Sequence, residues 1–330
     1  AILALRAQVG CAILKLSFPM GRLVEDLSAE DVRPAKIARR AEEAKKPYLI
    51  SAEQWQEFRE RGYVNLGRVI PGELLERMER RIDAIMMGEV NHGNRLMMQL
   101  DPGGVYGDAV QSVQSAGFKG ATRAYRKIGE AGFGLECDEV FREAMLLPVF
   151  KEACTEMYGG HVDIGIYRSM VFNKPAQAGT DLPWHQDGGE WWGLDRDPLI
   201  FVWTALDDAT KAKGCVKVVP GTHKLGLLSK RGHTLSQESI EAHQVEEPAT
   251  SVEVARGESV LMHNFLIHSS GTNATDAPRR AFSVNYADGR TRLIHPKPVV
   301  QPEGKSGPVL GFTEPGQQLP VIFSPELPAF

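Results

Sequence analysis

Cysteine is scarce in this chain: Cys11, Cys137, Cys154 and Cys215 are four among 330 residues, and none is spaced as C-x-x-C. That argues against a disulfide framework and against a cysteine-ligated zinc site, and it suits reduced, buried thiols in the cytoplasm. An excess of one charge is also missing. Lys and Arg number 38 against 42 Asp and Glu, a formal net charge of −4. The chain therefore has neither the basic footprint of a nucleic-acid binder nor an attraction to anionic membrane surfaces. No apolar run approaches membrane-spanning length. The opening AILALRAQVGCAILKLSFP is broken by Arg6, Gln8 and Lys15 and lacks the basic lead-in of a targeting signal, so it reads as a helix or strand packed on the body. The chain begins without Met, which leaves upstream residues open. No repeat of the solenoid type is visible. What remains is 42% hydrophobic and 24% charged, an ordinary globular balance with length enough for a sizeable core.

Three regions follow from texture. Residues 1–48 read as an extension, mixed in charge towards Pro47 and a candidate dimerisation element. A domain is expected over 49–293. Its helical part starts at SAEQWQEFRERG, where Ser51 and Gln54 form a capping box and Gly62 a stop. A second helix is predicted after Pro71 from the spacing of Leu74, Leu75, Met78, Ile82, Ile85 and Met86. The Gly- and Ser-rich stretch 101–121 reads as a long loop of the kind that forms lids. From about 161 to 290 short β-branched and aromatic runs alternate with turns: HVDIGIYRSMVFN, PLIFVWTAL, GCVKVVPG, SVEVARGESVLMH and RAFSVNYADG. That predicts a mainly β fold with flanking helices and a sandwich or jelly-roll core. Residues 294–330 hold eight of the twenty prolines and are expected to run extended over the same domain.

The stretch PWHQDGGEWW carries the chemistry. On extended backbone His185 and Asp187 share a face and Gln186 points away. An imidazole and a carboxylate suit a divalent first-row metal, and a second histidine would complete a facial triad. His263 and His268 both compete for that place. His268 is preferred because it sits at a strand end before Ser269, Ser270 and Gly271. Eleven residues on, the strand phase puts Arg279, Ala281, Ser283 and Asn285 on a small, polar face, as a cavity wall would be. Arg280, Phe282, Val284 and Tyr286 form the bulky face. A buried Arg279 needs an anion; Arg280 reads as a surface arginine paired with an acid.

These motifs resemble the phytanoyl-CoA dioxygenase family. The resemblance rests on the H-x-D at His185, the PGTH turn at Pro220, the H-x-S-G-x-N at His268 and the arginine at Arg279, in family order, and it runs from about Ser51 to about Asp288. It implies a double-stranded β-helix of the cupin-like kind and dependence on Fe(II) and 2-oxoglutarate. The implied iron ligands are His185, Asp187 and His268, and the implied anchor for the distal carboxylate of 2-oxoglutarate is Arg279. Lys127, Met170, Trp203 and Ser270 become further co-substrate contacts. The expected reaction uses O2, converts 2-oxoglutarate to succinate and CO2, and hydroxylates or otherwise oxidises an unactivated C–H of a small metabolite. Asp187 argues against halogenation, since related halogenases lack that carboxylate. Glu190, Trp191, Trp192 and Asn285 are expected to contact substrate, with Gly188 and Gly189 letting backbone pass close to the metal. The competing readings are a non-catalytic jelly-roll binding protein and a cupin-type enzyme with another metal.

Overall fold

Strand β11 (Arg279–Asp288) sits in the middle of a large antiparallel sheet, and its two faces have different tasks. Phe282, Val284 and Tyr286 project into one core, while Ala281 projects into another. The computed structural model describes residues 49–101, 117–132, 134–229, 234–294 and 315–325. The extension over 1–48, most of the expected lid and most of the proline-rich tail lie outside the described residues.

The first core is roofed by helices. Helix α1 (Ala52–Arg61) begins with the reciprocal Ser51–Gln54 cap and ends at Gly62 in the left-handed conformation. A Cβ at Gly62 would also meet the His223 ring at 2.5 Å, so both φ and space require glycine there. Helix α2 (Gly72–Met87) buries the six apolar residues that its spacing predicts. Two more, α3 (Glu139–Met145) and α4 (Pro148–Tyr158), follow. Their apolar faces join Phe282, Val284 and Tyr286 in one cluster, and the Tyr286 hydroxyl donates to Met145 O at 2.9 Å.

The large sheet runs β1 (Tyr63–Gly67), β9 (Ser259–His263), β6 (Ile200–Ala205), β11, β4 (Ile164–Lys174), β3 (Tyr125–Ile128) and β2 (Met98–Leu100). From the tail, β12 (Val321–Phe323) adds to β4. The small sheet runs β5 (Leu182–His185), β10 (His268–Ser270), β7 (Val216–Val218) and β8 (Thr250–Val252). Phe201, Trp203 and Met262 from the first sheet share a cluster with Val216, Val218 and Val252 from the second. The sheets therefore face one another, as in a double-stranded β-helix. One irregularity has a local consequence. The partner of β11 jumps from Arg168 to Ile166, leaving Tyr167 as the extra residue of a bulge.

Arg280 is paired as its phase predicts. Its guanidinium donates to both Asp207 oxygens, at 2.9 and 2.8 Å, and to Asp83 at 2.9 Å. Cys137, Cys154 and Cys215 are unbonded, with Cys137 only half-buried. Among the described residues no helix is long and apolar enough to cross a membrane. The two-faced reading of β11 has a direct test. Phe282→Ala removes a ring that is 3% exposed and lies tilted against Phe141, with ring centres 4.9 Å apart, and should cost about 3–5 kcal/mol in denaturant unfolding. A loss under about 1 kcal/mol would contradict the packing assigned to that face.

Candidate metal centre

Two short strands of the small sheet bring the histidines together. His185 ends β5, His268 begins β10, and the antiparallel register pairs them directly. Their rings stand 4.0 Å apart. Two residues past His185, Asp187 is held by its own N–H, which donates to Asn264 O at 2.8 Å. Gln186 points the other way, as the alternation predicts. Its amide donates to Gly226 O and Phe265 O and accepts from Leu228 N. The effect is a three-point clamp on the loop that carries the flanking ligands.

One ligating atom from each of His185, Asp187 and His268 lies within 4.8 Å of the others, and all three side chains are buried. Each histidine donates from Nδ1 to a carbonyl two residues earlier, His185 to Pro183 O and His268 to Leu266 O, both at 2.8 Å. That fixes the tautomer and puts the lone pair on Nε2. Two imidazoles and a carboxylate gathered on one side fit a divalent first-row ion with open positions. The rival His263 is elsewhere. It packs on Phe58, His223 and Phe265, and accepts from Phe265 N. Burial, helped by the neighbouring His223, pushes its pKa down to about 4.

Beside the triad, a pocket opens between the sheets, lined by residues of both. Arg279 lines it and is 2% exposed. Its Nη2 donates to Gly214 O at 3.2 Å and its guanidinium lies 5.6 Å from the Trp203 ring centre, but its Nε has no partner. Burial pulls its pKa down to about 10, so the cation is poorly compensated and calls for an anion. Lys127, Trp203, Ser270 and Asn285 also line the pocket. Asn285 Nδ2 reaches Asn264 Oδ1 at 3.4 Å, which links the pocket wall to the residue that holds Asp187.

Other expectations need correction. Met170 pairs with Ser283 on the pocket-facing row of β4, yet it is fully buried and is not part of the lining. The tryptophans make no pocket wall. Trp192 is fully buried and stacks at 4.6 Å on Tyr167, the bulge residue of β4. Glu190 and Trp191 are exposed and outside the lining. Gly188 and Gly189 are needed for positive φ, but a Cβ on Gly188 would press on Asp197 and Phe265 rather than on the ligands. Residues 102–116 of the expected lid lie outside the described residues.

Sequence reasoning missed three lining cations, Arg126 from β3 and Arg168 and Lys174 from β4. Arg168 forms a buried ion pair with Glu130 at 2.5 Å and lies 4.7 Å over Trp192. Lys174 stands opposite Arg279 across the ladder. The alternation of RSMVFNK carries the two from β4, but only knowledge of which face of β4 looks inward would have singled them out.

Comparison with known proteins agrees with this geometry. The family model for phytanoyl-CoA dioxygenase (PhyH) matches residues 58–281. A probable phytanoyl-CoA dioxygenase of Caenorhabditis elegans is 28% identical over 250 residues, covering 73% of this chain and 76% of that protein. The peroxisomal phytanoyl-CoA dioxygenase of Rattus norvegicus is 24% identical over 258 residues, covering 76% and 72%. Among solved structures, EctD from S. alaskensis superposes with a TM-score of 0.58 at 19% identity, covering 83% of this chain and 88% of that one. The alpha-ketoglutarate-dependent carbocyclase SnoK of nogalamycin biosynthesis does so with 0.57 at 20%, covering 83% and 96%. At those identities the structural likeness is one of fold.

Metal binding tests the centre by itself. Asp187→Ala is expected to lower Co(II) affinity by about 100-fold or more, read as loss of the visible Co(II) spectrum. Glu190→Ala, in an exposed residue of the same stretch, should leave it unchanged. Equal behaviour of the two variants would remove Asp187 from the ligand set.

Proposed function

The chain belongs to the phytanoyl-CoA dioxygenase family and is an oxygenase that works with Fe(II) and 2-oxoglutarate, and on that premise we propose that it hydroxylates an unactivated C–H of a small organic metabolite. The observation that carries this reading is the buried triad, with its three ligating atoms within 4.8 Å and both imidazoles oriented by backbone carbonyls. His185, Asp187 and His268 hold the iron. When bound, the iron with 2-oxoglutarate supplies oxygen activation, with succinate and CO2 as co-products.

The chain's own part is binding and orientation. Arg279 takes the distal carboxylate, and its unpartnered Nε and depressed pKa support that role. Trp203 gives the guanidinium an aromatic face, and Ser270 offers a hydroxyl from β10. Lys127 lines the same space from β3. Met170 contributes only as packing behind that wall. Asn285 and Arg168 pair across β11 and β4 and stand at the other end of these pocket-facing rows from Arg279. That placement supports contacts to substrate. Asp187 occupies the carboxylate position of the triad, which favours hydroxylation over halogenation. The unbonded cysteines support a reducing, cytoplasmic location.

An anaerobic titration tests this. Fe(II) followed by 2-oxoglutarate should produce a weak visible charge-transfer band, and succinate should form once O2 is admitted. Arg279→Ala should weaken 2-oxoglutarate binding about 10- to 100-fold, whereas Arg280→Ala, whose charge is spent on Asp207 and Asp83, should leave it nearly unchanged. A metal-replete protein without the band would be a binding protein or a different metalloenzyme.

A further inference from the structure

Strands β4 and β11 place Lys174 directly opposite Arg279. Residues paired across an antiparallel ladder project to the same face, about 4.5–5.5 Å apart at Cβ, and like charges so placed repel. Here both cations are also buried, at 6% and 2% exposure, and both line the pocket. Desolvation strengthens the repulsion. The groups they touch do little to relieve it. Lys174 Nζ donates to Thr180 O at 2.8 Å and Arg279 Nη2 to Gly214 O at 3.2 Å, and both acceptors are uncharged carbonyls. The other charged groups facing Lys174 are Arg126 from β3 and the carboxylates of Asp101 and Asp181. Asp101 is engaged by Thr180, which donates to it from both N and Oγ1. Two buried cations facing each other on a pocket wall form a site for one shared anion.

We propose that Lys174 is a second anchor for the co-substrate, and that the distal carboxylate of 2-oxoglutarate sits between Lys174 and Arg279 and accepts from both. This rests on the dioxygenase reading above. Lys174 is a positioning residue: it sets where the dianion lies without touching the reacting atoms. The arrangement has a pH signature. Burial, and then the charge of Arg279, hold the Lys174 ammonium at a pKa of about 7. A carboxylate beside it raises that pKa. Below about pH 7 the lysine is already protonated and binding is tightest. Above it, binding takes up a proton, and affinity falls as the pH rises towards the pKa of the bound state.

Calorimetric titration of 2-oxoglutarate into the anaerobic Fe(II) protein, in buffers of different ionisation enthalpy, reads this directly. The unaltered protein should take up close to one proton at about pH 8 and almost none at about pH 6. Lys174→Gln keeps a donor for Thr180 O but no charge. It is expected to weaken binding about 10- to 100-fold at the lower pH and to abolish the uptake. Lys174→Arg should keep the affinity and also lose the uptake, so it carries the test if the glutamine variant folds poorly. 2-Oxobutyrate, which has the same chelating end and no distal carboxylate, should bind the unaltered protein and Lys174→Gln alike. Unchanged affinity and uptake in Lys174→Gln, or an equal loss with 2-oxobutyrate, would overturn the proposal alone. No binding of 2-oxoglutarate by the unaltered protein would overturn the dioxygenase reading on which it rests.

Discussion

The register of one short strand pair governs this site. β10 meets β5 so that His268 faces His185. A slip of one residue would turn either imidazole to the far face of the small sheet and break the triad. Much of the surrounding structure holds that register. Gln186 ties the loop after β5 to Gly226, Leu228 and Phe265. Asn264 receives the Asp187 N–H, and its own N–H reaches back to Leu199 O. Thr222, in the PGTH turn, accepts from Ile267 N just before β10 begins. Gln186, Asn264 and Thr222 are themselves buried, and for a buried polar group a lost partner costs more than a formed bond contributes.

Around that pair the two sheets divide the labour. The large sheet gives its outer face to helices and its inner face to the small sheet and the pocket. Adjacent arginines show how sharp the division is. Arg280 points to the helical side and is neutralised by Asp207 and Asp83, which push its pKa up from its usual value. Arg279 points inward, where burial pulls its pKa down to about 10. The same chemical group, one residue apart, is in one case a tie between secondary elements and in the other an electrostatic demand that only a ligand can meet. Lys174 doubles that demand from the neighbouring strand.

Much of the fold and of the site is legible in the order of the residues. The Ser51 cap, the α2 stripe, the inward and outward rows of β11 and the opposed directions of Gln186 and its neighbours are properties of local periodicity, which is geometric and short-range. The residues that mislead do so for a tertiary reason. Trp191 and Trp192 follow the ligands in sequence, yet Trp192 packs in a separate buried cluster with Tyr167, the bulge residue of a distant strand. Met170 has the right phase but is covered over. Arg168 and Lys174 sit in a run that is buried throughout except Phe172, which is half-buried. No amphipathic pattern marks which of its faces looks into the pocket.

By itself, then, the sequence determined the class of fold, the metal-capable motif and the phase of each strand, because side-chain alternation is dictated by backbone geometry within a few residues. Only the tertiary structure decided which histidine joins the motif, which cations share the pocket and which aromatics are mere packing. Those outcomes depend on strand order and register between segments far apart in the chain, where no local rule reaches.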